Sequence, residues 1–115
     1  MTDKPYDLEK RTFAFAKEVR SVIRKLPNNL QNVEDGKQVI RSSGSVGANY
    51  IESNEHVSQK DFQHRIKICR KEAKESNYWL RLLADNNPEI KSFTDLIDEA
   101  NQLKLIFNAM IKKQP

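Results

Sequence analysis

Two stretches of this sequence contain residue types that contact phosphates, and the first is RSSGSVGANYIESNE, residues 41–55. Its Gly44 and Gly47 lie among small polar residues, as in loops whose backbone N–H groups bind a phosphate. Such a loop needs a strand before it and a helix after it. No strand pattern precedes Arg41, and no Lys-Ser or Lys-Thr pair follows Gly47. The stretch therefore favours a helix that packs closely against another helix.

The spacing of small residues within this stretch supports the helical interpretation. Ser43 and Gly47 are four residues apart, as are Gly44 and Ala48, so small side chains share one side of a helix. Glycine inside a helix costs about 1 kcal/mol relative to alanine, and the close approach of a neighbouring helix offsets that cost. We therefore predict that Gly44 and Gly47 lie at a helix or oligomer interface.

The second stretch, from Lys60 to Arg81, has seven basic and three acidic residues, a net charge of +4 that equals that of the whole chain. On a helix, five of the basic residues lie opposite the apolar positions. They are Lys60, Lys67, Lys71, Lys74 and Arg81. This face is either a solvated surface with ion pairs such as Lys71–Glu75, or a surface that contacts the phosphates of RNA or DNA. No motif for reading a base sequence is present.

The other reactive side chains do not indicate an enzyme. His56 and His64 are eight residues apart and lack a third ligand at a metal-binding spacing. Cys69 is the one cysteine, which excludes an intramolecular disulfide and is typical of a reducing cytoplasm. It falls among apolar residues, where a thiol packs as a small hydrophobe and a raised pKa makes it a poor nucleophile. We predict no catalytic residue, metal, cofactor or small-molecule substrate, and a cytoplasmic location.

Four segments with helical periodicity position these residues, at about residues 6–25, 35–55, 59–86 and 93–112. Pro5 suits the start of the first helix, Pro27 follows its end, and residues 27–34 (PNNLQNVE) form a polar linker to the second. The third segment has an apolar seam in which spacings of four and three alternate. The seam comprises Phe62, Ile66, Cys69, Ala73, Ser76, Leu80 and Leu83. A similar seam in the fourth segment comprises Phe93, Leu96, Ala100, Leu103, Phe107 and Met110.

Four amphipathic helices with short connections predict an all-α protein, an antiparallel up-down-up-down four-helix bundle. The 115 residues form one domain, residues 1–115, because a chain of this length supports a single core. No apolar run approaches the roughly 18 residues of a membrane span, and the first ten residues lack the apolar core of a signal peptide. We therefore expect no membrane partner.

A family resemblance is carried by residues 41–52, RSSGSVGANYIE, and by residues 58–80, SQKDFQHRIKICRKEAKESNYWL. These runs resemble the 23S rRNA intervening-sequence proteins, and the resemblance extends from residue 6 to the last helix. The signature of that family is roughly Ser-Ile-x-x-Asn-Ile-x-Glu-Gly. It falls here on Ser45, Val46, Asn49, Tyr50, Glu52 and Ser53. Gly47 stands where many relatives have proline, and Ser53 where many have glycine, which is expected to straighten the second helix and alter the turn after it.

The resemblance implies an antiparallel four-helix bundle that assembles into a ring, typically a pentamer. A more distant bundle of similar fold, the accessory variability protein of diversity-generating retroelements, binds nucleic acid and a reverse transcriptase through such a ring. For the closer family, the resemblance implies no defined molecular role. It therefore bears on the fold and the oligomer more than on the function.

Four further residues are predicted at interfaces, each with an alternative. Asn49 and Glu52 are three residues apart on one helix face, where they either bond to another helix or bind a ligand. Tyr78 and Trp79 lie beside the apolar seam of the third helix. They either widen the core of the bundle or are buried by a partner subunit, since aromatic residues are enriched at interfaces.

The leading hypothesis is a non-catalytic, homo-oligomeric bundle that binds RNA or DNA through the basic face of its third helix. The alternative is a protein-binding or scaffolding ring without a nucleic-acid function. A ring repeats the basic face around one axis, so phosphate contacts that are weak in one subunit add by multivalency.

Overall fold

Four α-helices account for most of the chain in the computed structural model, which describes residues 7–113. They are α1 (Leu8–Arg24), α2 (Leu30–Ser53), α3 (Gln59–Asn86) and α4 (Ser92–Lys113), and no residue from 7 to 113 lies in a strand. Helix α2 packs against α1 and α3, and α4 packs against α3 and α1. The predicted all-α, up-down-up-down antiparallel bundle is confirmed. The predicted opening of the first helix after Pro5 lies outside the described residues.

The start of α2 corrects the sequence interpretation, which placed residues 27–34 in a linker and began the helix near residue 35. Asn29 has an extended backbone, and its Oδ1 accepts a hydrogen bond from the backbone N–H of Asn32 at 2.9 Å. This N-cap satisfies one of the donors that a helix start leaves free, so α2 begins at Leu30. The helix ends at Ser53, two residues before the predicted end.

The core is formed by all four helices and contains most of the predicted seams of α3 and α4. All the seam residues are buried except Phe62 and Met110, which are partly exposed at the ends. The buried face of α2 is different, because Val39 and Val46 are its only fully buried large apolar residues within the described part, and Tyr50 packs against the core while partly exposed. The rest of that face consists of small or polar residues, so the neighbouring helices can approach α2 closely.

Helices α1 and α2 make such a close approach at Gly47. A Cβ atom at this position would lie 2.9 Å from Oγ1 and 3.2 Å from Cβ of Thr12 on α1. Thr12 has little freedom to move, because it is buried and its hydroxyl donates a 2.6 Å hydrogen bond to the carbonyl of Leu8. Gly44 faces the Arg20 guanidinium, which donates to the Ile40 carbonyl of α2 at 3.1 Å. The two glycines are therefore packing residues inside a continuous helix.

Polar contacts fasten the ends of the bundle. The buried side chains of Asn32 and Asn87 exchange two hydrogen bonds, of 3.1 and 2.7 Å, and Asn86 adds a third to Asn32 at 3.0 Å. They join the start of α2 to the end of α3. Between α1 and α4, Arg11 donates two hydrogen bonds, of 2.7 and 2.8 Å, to the Glu99 carboxylate. These contacts fasten α3 to α2 and α4 to α1.

Candidate nucleic-acid interface

A groove between α3 and α4 gathers three of the basic residues predicted on the third helix and adds two others. It has a volume of about 500 Å³. Its lining residues are Lys67, Arg70, Lys71, Lys74, Lys104, Leu105 and Asn108. Five of these seven are basic and none is acidic, so this basic groove concentrates positive charge at the surface.

The register of α3 places three lysines in the basic groove. Lys67, Lys71 and Lys74 are spaced by four and three residues and are exposed, whereas Ile66 and Ala73 are fully buried. Residues three and four apart share a helix face, so the lysines and the apolar seam occupy different faces of α3. Burial of the seam therefore fixes the lysines at the surface.

Acidic side chains do not neutralise the lysines of the basic groove. The ion pairs among residues 7–113 are Arg11–Glu99, Lys37–Glu34, Arg41–Glu72 and Arg41–Glu75. None of them contains a residue that lines the groove. The pair between Lys71 and Glu75, which the alternative of a solvated surface included, is absent from this part of the chain, because the Glu75 carboxylate lies 3.2 Å from Arg41 of α2. Glu72 and Glu75 of α3 thus pair with α2, whereas Lys67, Lys71 and Lys74 line the groove.

A hydrogen bond across the basic groove joins α3 to α4. Nη1 of Arg70 donates to Oδ1 of Asn108 at 2.8 Å, and both side chains are partly buried. The bond orients the guanidinium, which keeps further N–H donors for a ligand because a guanidinium has five. Arg70 therefore contributes a positioned, planar cation among flexible lysines.

The sequence interpretation did not include Arg70, Lys104 or Asn108 in the site. Arg70 stands next to the buried Cys69 and was not among the five residues expected on the exposed face. Lys104 and Asn108 belong to α4, and they are four residues apart beside the seam residues Leu103 and Phe107. That spacing was a readable signal for one helix face, but the sequence does not show which helix that face meets.

The other two predicted basic residues lie on the exposed surface of α3 outside the basic groove. Lys60 is in the first turn and Arg81 is near the end, about 30 Å apart along the helix axis. Nε of Arg81 donates to Oδ1 of Asn77 at 2.9 Å, and its guanidinium lies 5.9 Å from the centre of the Tyr78 ring. The basic surface of α3 therefore extends beyond the groove at both ends.

The aromatic pair of α3 divides between the core and the surface. Trp79 is partly buried and packs against the core, while Tyr78 is 50% exposed. Their rings meet edge to face, with the centroids 5.2 Å apart and an angle of 74° between the planes. The contact with Trp79 holds the exposed tyrosine ring at the surface.

Asn49 bonds across helices, whereas Glu52 faces solvent. Oδ1 of Asn49 accepts a 3.2 Å hydrogen bond from Arg65 of α3, and its Nδ2 donates to the Ser45 carbonyl at 2.9 Å. Glu52 is exposed, and no ion pair among residues 7–113 contains it. The geometry of Asn49 thus matches the structural alternative, a bond between α2 and α3.

The thiol and the imidazoles are placed as structural groups. Cys69 is completely buried, and burial raises the pKa of its thiol to about 12, so the nucleophilic thiolate is scarce at neutral pH. Nδ1 of His56 lies 2.8 Å from the Ser53 carbonyl, and His64 is exposed. Among residues 7–113, no three His, Cys, Asp or Glu side chains come together as a metal site would require.

A second groove, of about 410 Å³, lies between α1 and α2 and has an apolar lining. Its lining includes Gly44, Gly47 and Ala48, together with Phe13 and Ile51, which are 70% and 48% exposed. Lys17, Arg20 and Arg24 supply most of its charge, against one acidic residue, Glu9. This apolar groove is separate from the basic groove, with which it shares no residue.

The relationship to known proteins is decided by a family model. The model of the 23S rRNA-intervening sequence protein matches residues 4–109 of this chain. The chain belongs to that family. The resemblance in the sequence is therefore confirmed over nearly its whole length.

A solved structure shares the fold of this member of the 23S rRNA-intervening sequence protein family. It is a protein of unknown function from the S23 ribosomal protein family of Bacteroides thetaiotaomicron VPI-5482. The two chains are 24% identical, with a TM-score of 0.79, and the match covers 91% of this chain and 98% of the other. No curated protein matches the chain. The comparison shows that the two proteins share a fold, and it assigns no activity to either of them.

Two departures from the signature of the 23S rRNA-intervening sequence family lie in α2. The helix continues without interruption through Gly47, and Ser53 is its last residue. The Ser53 hydroxyl donates a 2.6 Å hydrogen bond to the Tyr50 carbonyl.

Within the described residues, none of the four helices is long and apolar enough to span a membrane.

Proposed function

We propose that this protein is a non-catalytic bundle that binds RNA or DNA along the basic groove between α3 and α4. The observation that carries the proposal is the concentration of five cations in one groove that has no acidic residue in its lining. Lysine and arginine side chains bind phosphate oxygens and release condensed counterions, which drives association at low salt.

The arrangement favours contact with the backbone of the nucleic acid over reading of its bases. Lys67, Lys71 and Lys74 are mobile point charges spaced along about 10 Å of α3, which suits a row of phosphates. The free thiol of Cys69 is typical of a protein from a reducing compartment and supports a cytoplasmic site of action. We therefore expect affinity that depends strongly on salt and weakly on sequence.

Separate substitution of two lysines of α4 tests the role of the basic groove. Lys104 lines the groove from α4, whereas Lys112 is exposed in the last turn of α4 and does not line it. Lys104→Gln is expected to weaken binding of a labelled oligonucleotide about fivefold at about 50 mM salt, because one phosphate contact is lost. Lys112→Gln removes the same charge and is expected to leave the affinity within about twofold.

Fluorescence anisotropy with purified protein measures both dissociation constants. Equal weakening by the two changes would mean that net charge drives binding and would contradict a role for the groove. Wild-type protein that binds no oligonucleotide at about 50 mM salt, where phosphate contacts are strong, would contradict nucleic-acid binding altogether.

We propose further that copies of the protein associate, in a ring of about five as the family resemblance implies, through the apolar groove of α1 and α2. Phe13 is 70% exposed and Ile51 48% exposed, and glycine and alanine residues line the same groove. Burying these side chains against another copy removes apolar surface from water. The same apolar groove favours the alternative function, a scaffold that binds another protein, because an exposed apolar surface is typical of an interaction site.

If copies associate through the apolar groove, a single substitution in the groove is expected to dissociate the oligomer. Light scattering is expected to give a multiple of the 13.4 kDa chain mass for the wild type and a smaller mass for Phe13→Ser. The control is Val57→Ser, at a valine that is 90% exposed and outside the groove, which is expected to leave the mass unchanged. A wild type that is monomeric at tens of micromolar would contradict the oligomer.

A further inference from the structure

Tyr78 continues the line of lysines that enters the basic groove. Lys67, Lys71, Lys74, Tyr78 and Arg81 follow spacings of four, three, four and three residues along α3. With 3.6 residues per turn, all five lie within about 40° of Lys67 around the helix axis. The aromatic ring therefore stands in the same stripe as the cations, between Lys74 and Arg81.

The Tyr78 ring contacts two neighbouring side chains, but the residue stays half exposed. Trp79, which packs against the core, contacts the ring edge to face at 5.2 Å, and the Arg81 guanidinium lies 5.9 Å from the ring centre. Tyr78 is 50% exposed nevertheless. An aromatic ring that the core does not use, flanked by cations, has the composition of a platform on which a nucleic-acid base stacks.

The geometry connects this ring to the phosphate contacts. Helix α3 rises about 6 Å from Lys74 to Tyr78, so a strand whose phosphates contact Lys71 and Lys74 brings a neighbouring base to the ring. In a duplex, the bases are paired and stacked inside the helix, and their faces are not accessible. Unpaired bases expose their faces and stack on aromatic side chains without regard to sequence.

We propose that the ligand of the basic groove is single-stranded nucleic acid, or an unpaired segment of a folded one, with one base stacked on Tyr78. This inference rests on the proposed function and adds to it the strandedness of the ligand. It assigns Tyr78 to ligand binding, in place of burial in the core or by a partner subunit. The phosphate contacts supply affinity for both kinds of nucleic acid, and the stacked base supplies the preference for the unpaired strand.

The test compares Tyr78→Ala, Tyr78→Leu and Tyr78→Phe on two probes. The probes are an unstructured RNA of about 20 nucleotides and the duplex that it forms with its complement. Tyr78→Ala and Tyr78→Leu are expected to weaken binding of the single strand about 5- to 100-fold, since they remove one stacked base. Both variants leave the duplex affinity within about twofold, and Tyr78→Phe, which keeps the ring, binds both probes like the wild type.

Two further readouts separate stacking from other roles. Trp79 touches the Tyr78 ring, so its fluorescence is expected to change when the single strand binds and to change much less with the duplex. Light scattering is expected to give the same mass for Tyr78→Ala as for the wild type. A variant with a smaller mass would assign Tyr78 to a subunit interface and overturn the proposal.

The outcomes distinguish this proposal from the proposed function. If Tyr78→Ala weakens both probes equally, or neither, base stacking is overturned while binding through the lysines stands. If the wild type prefers the duplex, the single-stranded ligand is overturned and the basic groove again stands. If the wild type binds neither probe, both proposals fail together.

Discussion

Gly47→Leu is expected to destabilise the protein by at least about 1–3 kcal/mol, although leucine is the better helix former. A Cβ atom at Gly47 would already lie 2.9 Å from Oγ1 and 3.2 Å from Cβ of Thr12, closer than ordinary contact. Thr12 is buried and its hydroxyl is bonded to the Leu8 carbonyl, so it yields little space. The larger side chain must push α1 away from α2. Urea unfolding followed by circular dichroism measures the loss.

Two alanine substitutions in α2 serve as comparisons for Gly47→Leu. Gly47→Ala is expected to cost less than leucine, because it adds one methyl group and recovers about 1 kcal/mol of helix propensity. At Gly36 an added Cβ would meet Ile23 at 3.4 Å, an ordinary contact, so Gly36→Ala is expected to stabilise the protein. Gly47→Leu as stable as the wild type would show that the close crossing at this position is absent.

Changing Lys67, Lys71 and Lys74 together to glutamine is expected to lower nucleic-acid affinity on the order of a hundredfold at about 50 mM salt. The three side chains are exposed and share one helix face, so their replacement leaves the apolar seam of α3 intact. Helix content and oligomeric mass are therefore expected to match the wild type. The effect is expected to be similar for unrelated sequences, because lysine–phosphate contacts position a ligand without specifying it.

The matched control removes the same charge from elsewhere on the surface. Lys10, Lys25 and Lys112 are exposed and lie outside the basic groove. Changing these three to glutamine is expected to reduce affinity only slightly, through the net charge of the protein. If the control triple variant weakens binding as much as the groove variant, the ligand responds to total charge and the groove has no special role.

The sequence was sufficient to predict four helices, because apolar residues recur at helical spacing, most regularly in α3 and α4. The alternating spacing from Phe62 to Leu83 determines one buried face of α3, and the structure buries that face. The start of α2 was missed because propensity and periodicity are weak between Leu30 and Val33. The signal that decides it is local, the hydrogen bond from the backbone of Asn32 to the Asn29 side chain.

The sequence predicted only the part of the candidate site that lies on α3, because the basic groove is formed by two helices, α3 and α4. The exposure of Lys67, Lys71 and Lys74 follows from the pattern of α3 alone. The contribution of Lys104 depends on which face of α4 meets α3, and that is a property of packing between helices distant in sequence. The pairing of Glu75 with Arg41 likewise depends on a neighbouring helix, and it leaves Lys71 without the partner that the i,i+4 spacing suggested.

The salt dependence of binding tests the central claim most directly. Dissociation constants of the wild type and of the variant with glutamine at residues 67, 71 and 74 are measured for one oligonucleotide across a series of salt concentrations. A plot of log affinity against log salt is expected to be linear, with a slope about 2–3 smaller in magnitude for the variant, since each lost phosphate contact removes about 0.7–0.9. An unchanged slope in a folded variant of wild-type mass would contradict the claim that these lysines contact phosphates.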